Sequence, residues 1–358
     1  MGTYLYPMGS LYQYNLLRDG WYHLALTDEM FFTATIWSAT DFLMNRGHSA
    51  YENLKAALEA SLLQQLRDRI TSEGEASDAT LGSVSCLAMT GSCRGDPEFW
   101  SGHMKGMAIL MASRGGPASI DTATRIKLYR ADTDGAVEAI RQPFLPPLPR
   151  SRLSLCLELL DIVETNDALT EIVGSSGLIA TLACIMQKIR QLSIALNNTF
   201  AGQSSPVDPY AVEEDTMIME RELLGILMLE PTIDGPNQAC ILGCLIYLRT
   251  LTRPLNVWRK LLNPLAGKLK VAMDDELTRT VMDDRLVRWL SFLGVMCSSD
   301  RSLRGWFVRT LKEATLGSSG SLPDWKHMTQ DLEEISWVKN IHEEPGKAHW
   351  LVEMSLDE

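Results

Sequence analysis

The sequence predicts an all-α protein, a single large domain of about a dozen helices. Three observations lead there. Apolar residues recur at helical spacing almost from end to end, and no stretch shows the strict alternation of a half-buried strand. Start and stop signals for helices punctuate the chain at matching intervals. A composition of 46% hydrophobic and 22% charged residues suits a chain that buries a large core.

In chain order, residues 1–20 form an N-terminal extension, and the helical domain occupies 21–358. Met30 to Arg46 carries Phe31, Phe32, Ile36, Trp37, Phe42 and Leu43 at helical spacing. Ser49 caps a second helix through Leu66, with Leu54, Ala57, Leu58, Leu62 and Leu66 on one stripe. Ser77-Asp78 opens a third, ending near Gly91. Asp96-Pro97-Glu98 combines a cap, a proline in the first turn and an acid at the dipole's positive end; Arg114-Gly115-Gly116 stops that helix. Pro117 to Tyr129 reads as a further helix. The run Pro143 to Pro149 (PFLPPLP) must be extended, either as a linker or as an ordered crossover, which its Phe and Leu favour. Later helical patterns cover Leu153–Glu164, Leu178–Leu196, Tyr210–Leu229, Gln238–Leu251, Asp275–Cys297, Ser302–Leu316 and Asp324–Ile335. Gly317 to Ser321 is a loop tip.

Charge narrows the function. Lys and Arg number 33 against 45 Asp and Glu, a net charge of −12, and no basic block interrupts the chain. Direct binding of duplex DNA, which needs a concentrated cationic surface, is therefore not expected. Apolar stretches fall short of the ~20 residues of a bilayer span, and the N-terminus lacks the pattern of a secretory signal. A cytoplasmic location is expected, or a nuclear one for a regulator. The seven cysteines lie in apolar segments and read as buried reduced thiols. Cys240 and Cys244 share a helix face, but no further thiol or imidazole pair lies near them to complete a metal site.

Several residues invite chemistry. Trp37, Asp41 and Asn45 fall at i, i+4 and i+8, on one face of a very apolar helix. They read either as oxygen ligands for Mg2+ or a polar head group, or as a satisfied polar network or the outer face of the helix. Asp132, Asp134 and Glu138 form an acidic trio suited to a hard divalent cation or to capping. His103, beside Trp100, Met104 and Met107, reads as a packed residue or as part of a pocket wall. Asp274-Asp275-Glu276 and Asp283-Asp284-Arg285 fail the DDxxD spacing, because Thr278 and Val287 stand at the last position. Asn166-Asp167 begins like a second metal motif but ends at Gly174. Both acidic pairs read as helix starts favoured by the dipole. No nucleophile elbow, P-loop or dinucleotide fingerprint is present. The 17 Met and nine Trp line either an ordinary core or an apolar pocket between helices.

The local patterns carry a resemblance. Trp21 to Gly47 (WYHLALTDEMFFTATIWSATDFLMNRG) resembles the opening of the fungal-specific transcription factor domain, the regulatory region of zinc-cluster regulators. Ser77–Gly116 resembles that family's most recognisable block, carried here by His103, Gly106, Arg114, Gly115 and Gly116. Arg130 to Ala136 with Arg141-Gln-Pro-Phe144, then Trp289 to Gly294, Arg304 to Val308 and the tail from Trp325 to Trp350, are similar to its later segments. The family's DNA-reading cysteine cluster has no counterpart, since the first cysteine is Cys86.

The resemblance implies two functions. One is an enzyme on a repurposed regulatory scaffold, as in certain unconventional fungal sesquiterpene cyclases. It implies Mg2+-dependent ionisation of a prenyl diphosphate, with release of diphosphate and aromatic walls sheltering the carbocation. By residue chemistry, Asp41, Asn45, Asp132, Asp134 and Glu138 are then the candidate metal ligands. Arg46 and Arg249 are the candidates for holding the diphosphate, and Trp37 and His103 for lining the pocket. The other is a regulatory or metabolite-sensing domain needing no cofactor, acting as a homodimer or with a zinc-cluster partner. The enzyme reading is the narrow favourite, on the ground that the DNA-reading portion is missing.

Overall fold

A computed structural model describes residues 21–44, 48–72, 74–149, 168–205, 207–229, 233–252, 255–319 and 323–354. It is all-α as expected: the described residues hold sixteen α-helices and no strand. None of the helices is long and apolar enough to cross a membrane. By their contacts the helices group into two compact units, one up to Arg152 and one from Leu153 onward.

The N-terminal unit contains α1 (Tyr22–Thr27), α2 (Glu29–Met44), α3 (Glu52–Ser72), α4 (Asp78–Arg94), α5 (Pro97–Ser113) and α6 (Thr122–Ala139). Helix α4 is its axis, packed against α2, α3, α5 and α6. Its sequence is rich in Gly, Ala, Ser and Cys, so neighbours approach closely. A Cβ on Gly82 would lie 2.7 Å from the Phe31 ring, and one on Gly91 would lie 2.8 Å from Phe99. Several buried hydroxyls of α4 are satisfied within the helix, with Ser83 donating to the Ala79 carbonyl and Thr90 to that of Cys86.

The expected caps form. Ser77 accepts from the Thr80 N–H and Asp96 from the Phe99 N–H, with Pro97 in the first turn. Gly95, Gly115 and Gly116 adopt positive φ at the helix ends, where a side chain would be strained. Arg114 reaches back to the start of α4, bonding the Asp78 carboxylate and, at 3.2 Å, the Ala76 carbonyl. The expected helix from Pro117 differs: Pro117–Ser119 is one 3-10 turn, and Asp121 caps a helix that begins at Thr122. That helix carries Asp132, Asp134 and Glu138 within its length, away from the N-terminal cap.

The C-terminal unit contains α7 (Ala168–Ser175), α8 (Ala180–Phe200), α9 (Pro209–Leu229), α10 (Gly235–Thr252), α11 (Leu255–Met273), α12 (Glu276–Val281), α13 (Asp284–Cys297), α14 (Arg301–Ser319), α15 (Trp325–Ile335) and α16 (Lys339–Met354). The expected Leu153–Glu164 helix lies outside the described residues. The single helix expected over Asp275–Cys297 is two, because Met282 is extended and Asp283 caps a new start by accepting from the Arg285 N–H. Asp275 likewise caps α12, as the dipole reading of these acids anticipated.

Helices α10 and α13 are almost wholly buried and pack together. Gly243 makes room for Leu290, and Gly294 for the Phe307 ring. Around them Phe292 contacts Trp325, Trp337 and Trp350 at centroid distances of 5.7–6.3 Å. Cys86, Cys240, Cys244 and Cys297 are buried as expected; Cys184 instead faces solvent, opposite the Leu182, Ile185, Met186 and Ile189 stripe of α8. Cys156 lies outside the described residues.

His342 shows how this core treats polar groups. Its Nδ1 accepts the Val338 N–H at 3.1 Å, so the proton sits on Nε2, which donates to Thr250 Oγ1 at 2.7 Å. Burial holds its pKa down at about 3, against 6.5 for an exposed histidine.

Two predictions follow from this packing. A Cβ on Gly135 would lie 2.2 Å from the Trp100 indole, which is pinned by its bond to the Ala131 carbonyl, whereas Gly106 meets nothing within 4 Å. Chemical denaturation should show Gly135→Ala destabilising by about 1–3 kcal/mol, and Gly106→Ala stabilising by up to about 1 kcal/mol. For His342, the unfolded chain takes up a proton below about pH 6.5 and the folded chain does not until about pH 3. Its contribution is therefore complete above pH 6.5 and falls with pH, by at most about 1.4 kcal/mol per pH unit. Denaturation curves between pH 7.5 and 4.5 should show a shallower loss of stability for His342→Gln than for the parent.

Candidate functional site

Of the residues the sequence singles out, Trp37, Asp41 and His103 meet in one polar cluster of the N-terminal unit. Trp37 and Asp41 are one turn apart on α2, sharing a face as their spacing anticipates, and both point inward. Asp41 is only 3% exposed. Its Oδ1 accepts from Arg94 Nε at 2.8 Å and Arg94 Nη2 at 2.6 Å, and Lys55 Nζ lies 2.5 Å from the same atom. Trp37 donates from its indole N–H to Glu59 at 3.2 Å, and the Arg94 guanidinium stands 5.5 Å from the centre of the Trp37 ring.

Phe99 extends this wall and meets His103 edge-on at 4.5 Å. Burial lowers the His103 pKa, and the nearby Glu59 carboxylate opposes that shift. The cluster is thus built from two cations, two carboxylates and three rings drawn from α2, α3, α4 and α5.

Three participants, Lys55, Glu59 and Arg94, were not among the residues singled out from sequence. Lys55 and Glu59 are four apart on α3, the spacing of an i,i+4 pair, and this was the available signal. Arg94 stands in the last turn before Gly95, where a cation reads as a complement to the helix dipole. Nothing local shows that it also reaches Asp41, 53 positions earlier.

The acidic trio of α6 goes three separate ways. Asp132 is fully buried and accepts the N–H of Phe144 at Oδ1 and of Leu145 at Oδ2, each at 2.9 Å. It thereby pins the proline-rich stretch as an ordered crossover, with Leu145 and Leu148 buried and Phe144 5.4 Å from Trp100. Asp134 is 3.6 Å from Arg130, one turn back on its own helix. Glu138 accepts from the Ser92 hydroxyl of α4. Arg249 belongs to the C-terminal unit, buried on α10 with Nε 3.7 Å from Glu220. Asn45 and Arg46 lie outside the described residues.

The described carboxylates do not converge as a Mg2+ centre would need. A hard divalent cation needs several anionic or carbonyl oxygens converging on one point. Among the described residues no three acidic, thiol or imidazole side chains converge in that way. At Asp41 the cation would have to displace Arg94 and Lys55 from the oxygen they share; at Asp132 it would have to break two buried backbone hydrogen bonds. Among the described residues these carboxylates are not brought together as one ligand set, and Asn45 lies outside them. Each carboxylate is a partner for this chain's own donors.

No family model matches the chain, and neither curated proteins nor solved structures show a match to it. Gly115 and Gly116 take positive φ at the end of α5, and Arg114 ties that end to the start of α4.

If Asp132 anchors the crossover, Asp132→Ala strands two buried N–H groups. Urea titration should then show a loss of about 2–4 kcal/mol. An unchanged midpoint would show that the anchor carries no stability.

Proposed function

We propose that the chain is a regulatory, ligand-sensing helical module similar to the fungal-specific transcription factor domain, acting without a DNA-binding zinc cluster among its residues and without metal-dependent catalysis. The observation that carries this reading is the neutralisation of Asp41 by Arg94 and Lys55. The most promising metal ligand in the sequence is already occupied by two protein cations, and the α6 carboxylates turn to other partners. Diphosphate ionisation by a cyclase needs a metal cluster on the leaving group, and this donor set does not supply one.

What remains is a charge-balanced, aromatic-walled cluster with Arg94, Lys55 and His103 only part-buried. Such a surface suits recognition of a polar small molecule or of a partner protein such as a zinc-cluster regulator.

The test has two arms. Purified protein is incubated with farnesyl and related prenyl diphosphates, with Mg2+ or EDTA, and volatiles are analysed. No cyclised product is expected. The chain fused to a heterologous DNA-binding module is expected to change reporter transcription. An EDTA-sensitive terpene product would overturn this reading and return the site to cyclase chemistry.

A further inference from the structure

A second polar cluster, in the C-terminal unit, has the opposite balance. Arg259 on α11 is half-buried, and Nη2 donates to Nε2 of His349 on α16 at 2.5 Å. Because Nε2 accepts, His349 is neutral and its proton sits on Nδ1. Arg259 Nε is buried with no acceptor, and among the described residues no carboxylate pairs with this guanidinium. A second cation, Arg304 of α14, stands close enough to lower the pKa values of both Arg259 and His349. Arg304 is held by the Ser298 carbonyl, at 3.2 Å from Nε and 2.9 Å from Nη2. It also reaches Glu353 at 3.4 Å, the one carboxylate of the group.

A partly desolvated guanidinium whose main partner is a neutral imidazole, with another guanidinium beside it, is costly unless an anion joins it. Every other part-buried ion pair described above sets a carboxylate against its cation. Here three donor groups from three helices face one another with a single acid at the edge.

We propose that Arg259, His349 and Arg304 form a binding site for a small tetrahedral dianion of the sulfate or phosphate-ester class. Charge decides for a dianion over a monoanion. The two arginines against Glu353 leave one positive charge while His349 is neutral and two once it is protonated, and a dianion cancels both by drawing that proton in. Arginine forks match tetrahedral oxyanions in geometry as well as in charge. Binding therefore turns Arg259 Nη2 from His349 Nε2 to the anion and brings a proton to that nitrogen; in the free protein the His349 pKa is held down at about 4 by burial and by Arg259 and Arg304, with only Glu353 opposing. The site goes beyond the function proposed above and does not depend on it.

The test uses sulfate, whose own charge is constant across the range. His349 ring resonances of the full chain are titrated between pH 4 and 8 by NMR, in sulfate and in chloride at matched ionic strength. Sulfate is expected to raise the His349 titration midpoint by about 1–3 pH units, saturably, and chloride to leave it in place. Arg259→Gln should abolish the sulfate shift, and Arg309→Gln, an exposed change on the same helix as Arg304, should retain it. A midpoint that sulfate does not move, or that chloride moves equally, overturns the proposal in the unmodified protein, whatever the variants do.

Discussion

A carboxylate buried in a helical core costs several kcal/mol unless counter-charges and donors surround it. In the N-terminal unit the pairing of Asp41 with Arg94 and Lys55 meets that requirement. Helix α2 presents Asp41 one turn after Trp37, α3 supplies Lys55, and α4 supplies Arg94 from its last turn. One oxygen thus ties three helices together. The same guanidinium covers Trp37, whose indole N–H in turn reaches Glu59 on α3. The proposed function depends on this arrangement, because a metal at Asp41 Oδ1 would compete with two protein cations already held there.

Other acids of this unit follow the same rule on different partners. Asp132 holds down the proline-rich crossover through two backbone N–H groups, and Glu138 joins α6 to α4 through Ser92. Their anionic oxygens serve to connect segments that apolar packing alone would leave sliding. The C-terminal unit applies it at Arg285, which is set among Asp283, Glu171 and Glu334. It departs from it at Arg259, whose buried Nε has no acceptor among the described residues, and there the anion site is proposed.

Much of the helical layout was legible in the sequence because it is local. Caps at Ser77 and Asp96, and the glycine stop at 115–116, depend on residues within one turn of one another. Helices bearing internal prolines were harder to read: α11 contains Pro264 and α16 contains Pro345, and neither emerged from the pattern. The break at Met282 was hidden because apolar spacing runs on through it. At the site, the inward face of Trp37 and Asp41 was visible as an i,i+4 pair. Which charge would answer Asp41 was not, because Arg94 is distant in sequence and its position suggested only a helix end. The acidic trio of α6 misled for a related reason: spacing places side chains around a helix, but only the packing of α4 and the crossover decides what each one meets.

The central claim, that Asp41 is structural and internally neutralised, is tested most directly by a double-mutant cycle on Asp41→Asn and Arg94→Gln, followed by chemical denaturation. The pairing predicts that each single change destabilises the protein, with a favourable coupling of about 1–3 kcal/mol. An Asp41 kept for an external ligand would behave in the opposite way. Its neutralisation would raise stability, and near-zero coupling to Arg94 together with that gain would contradict the account.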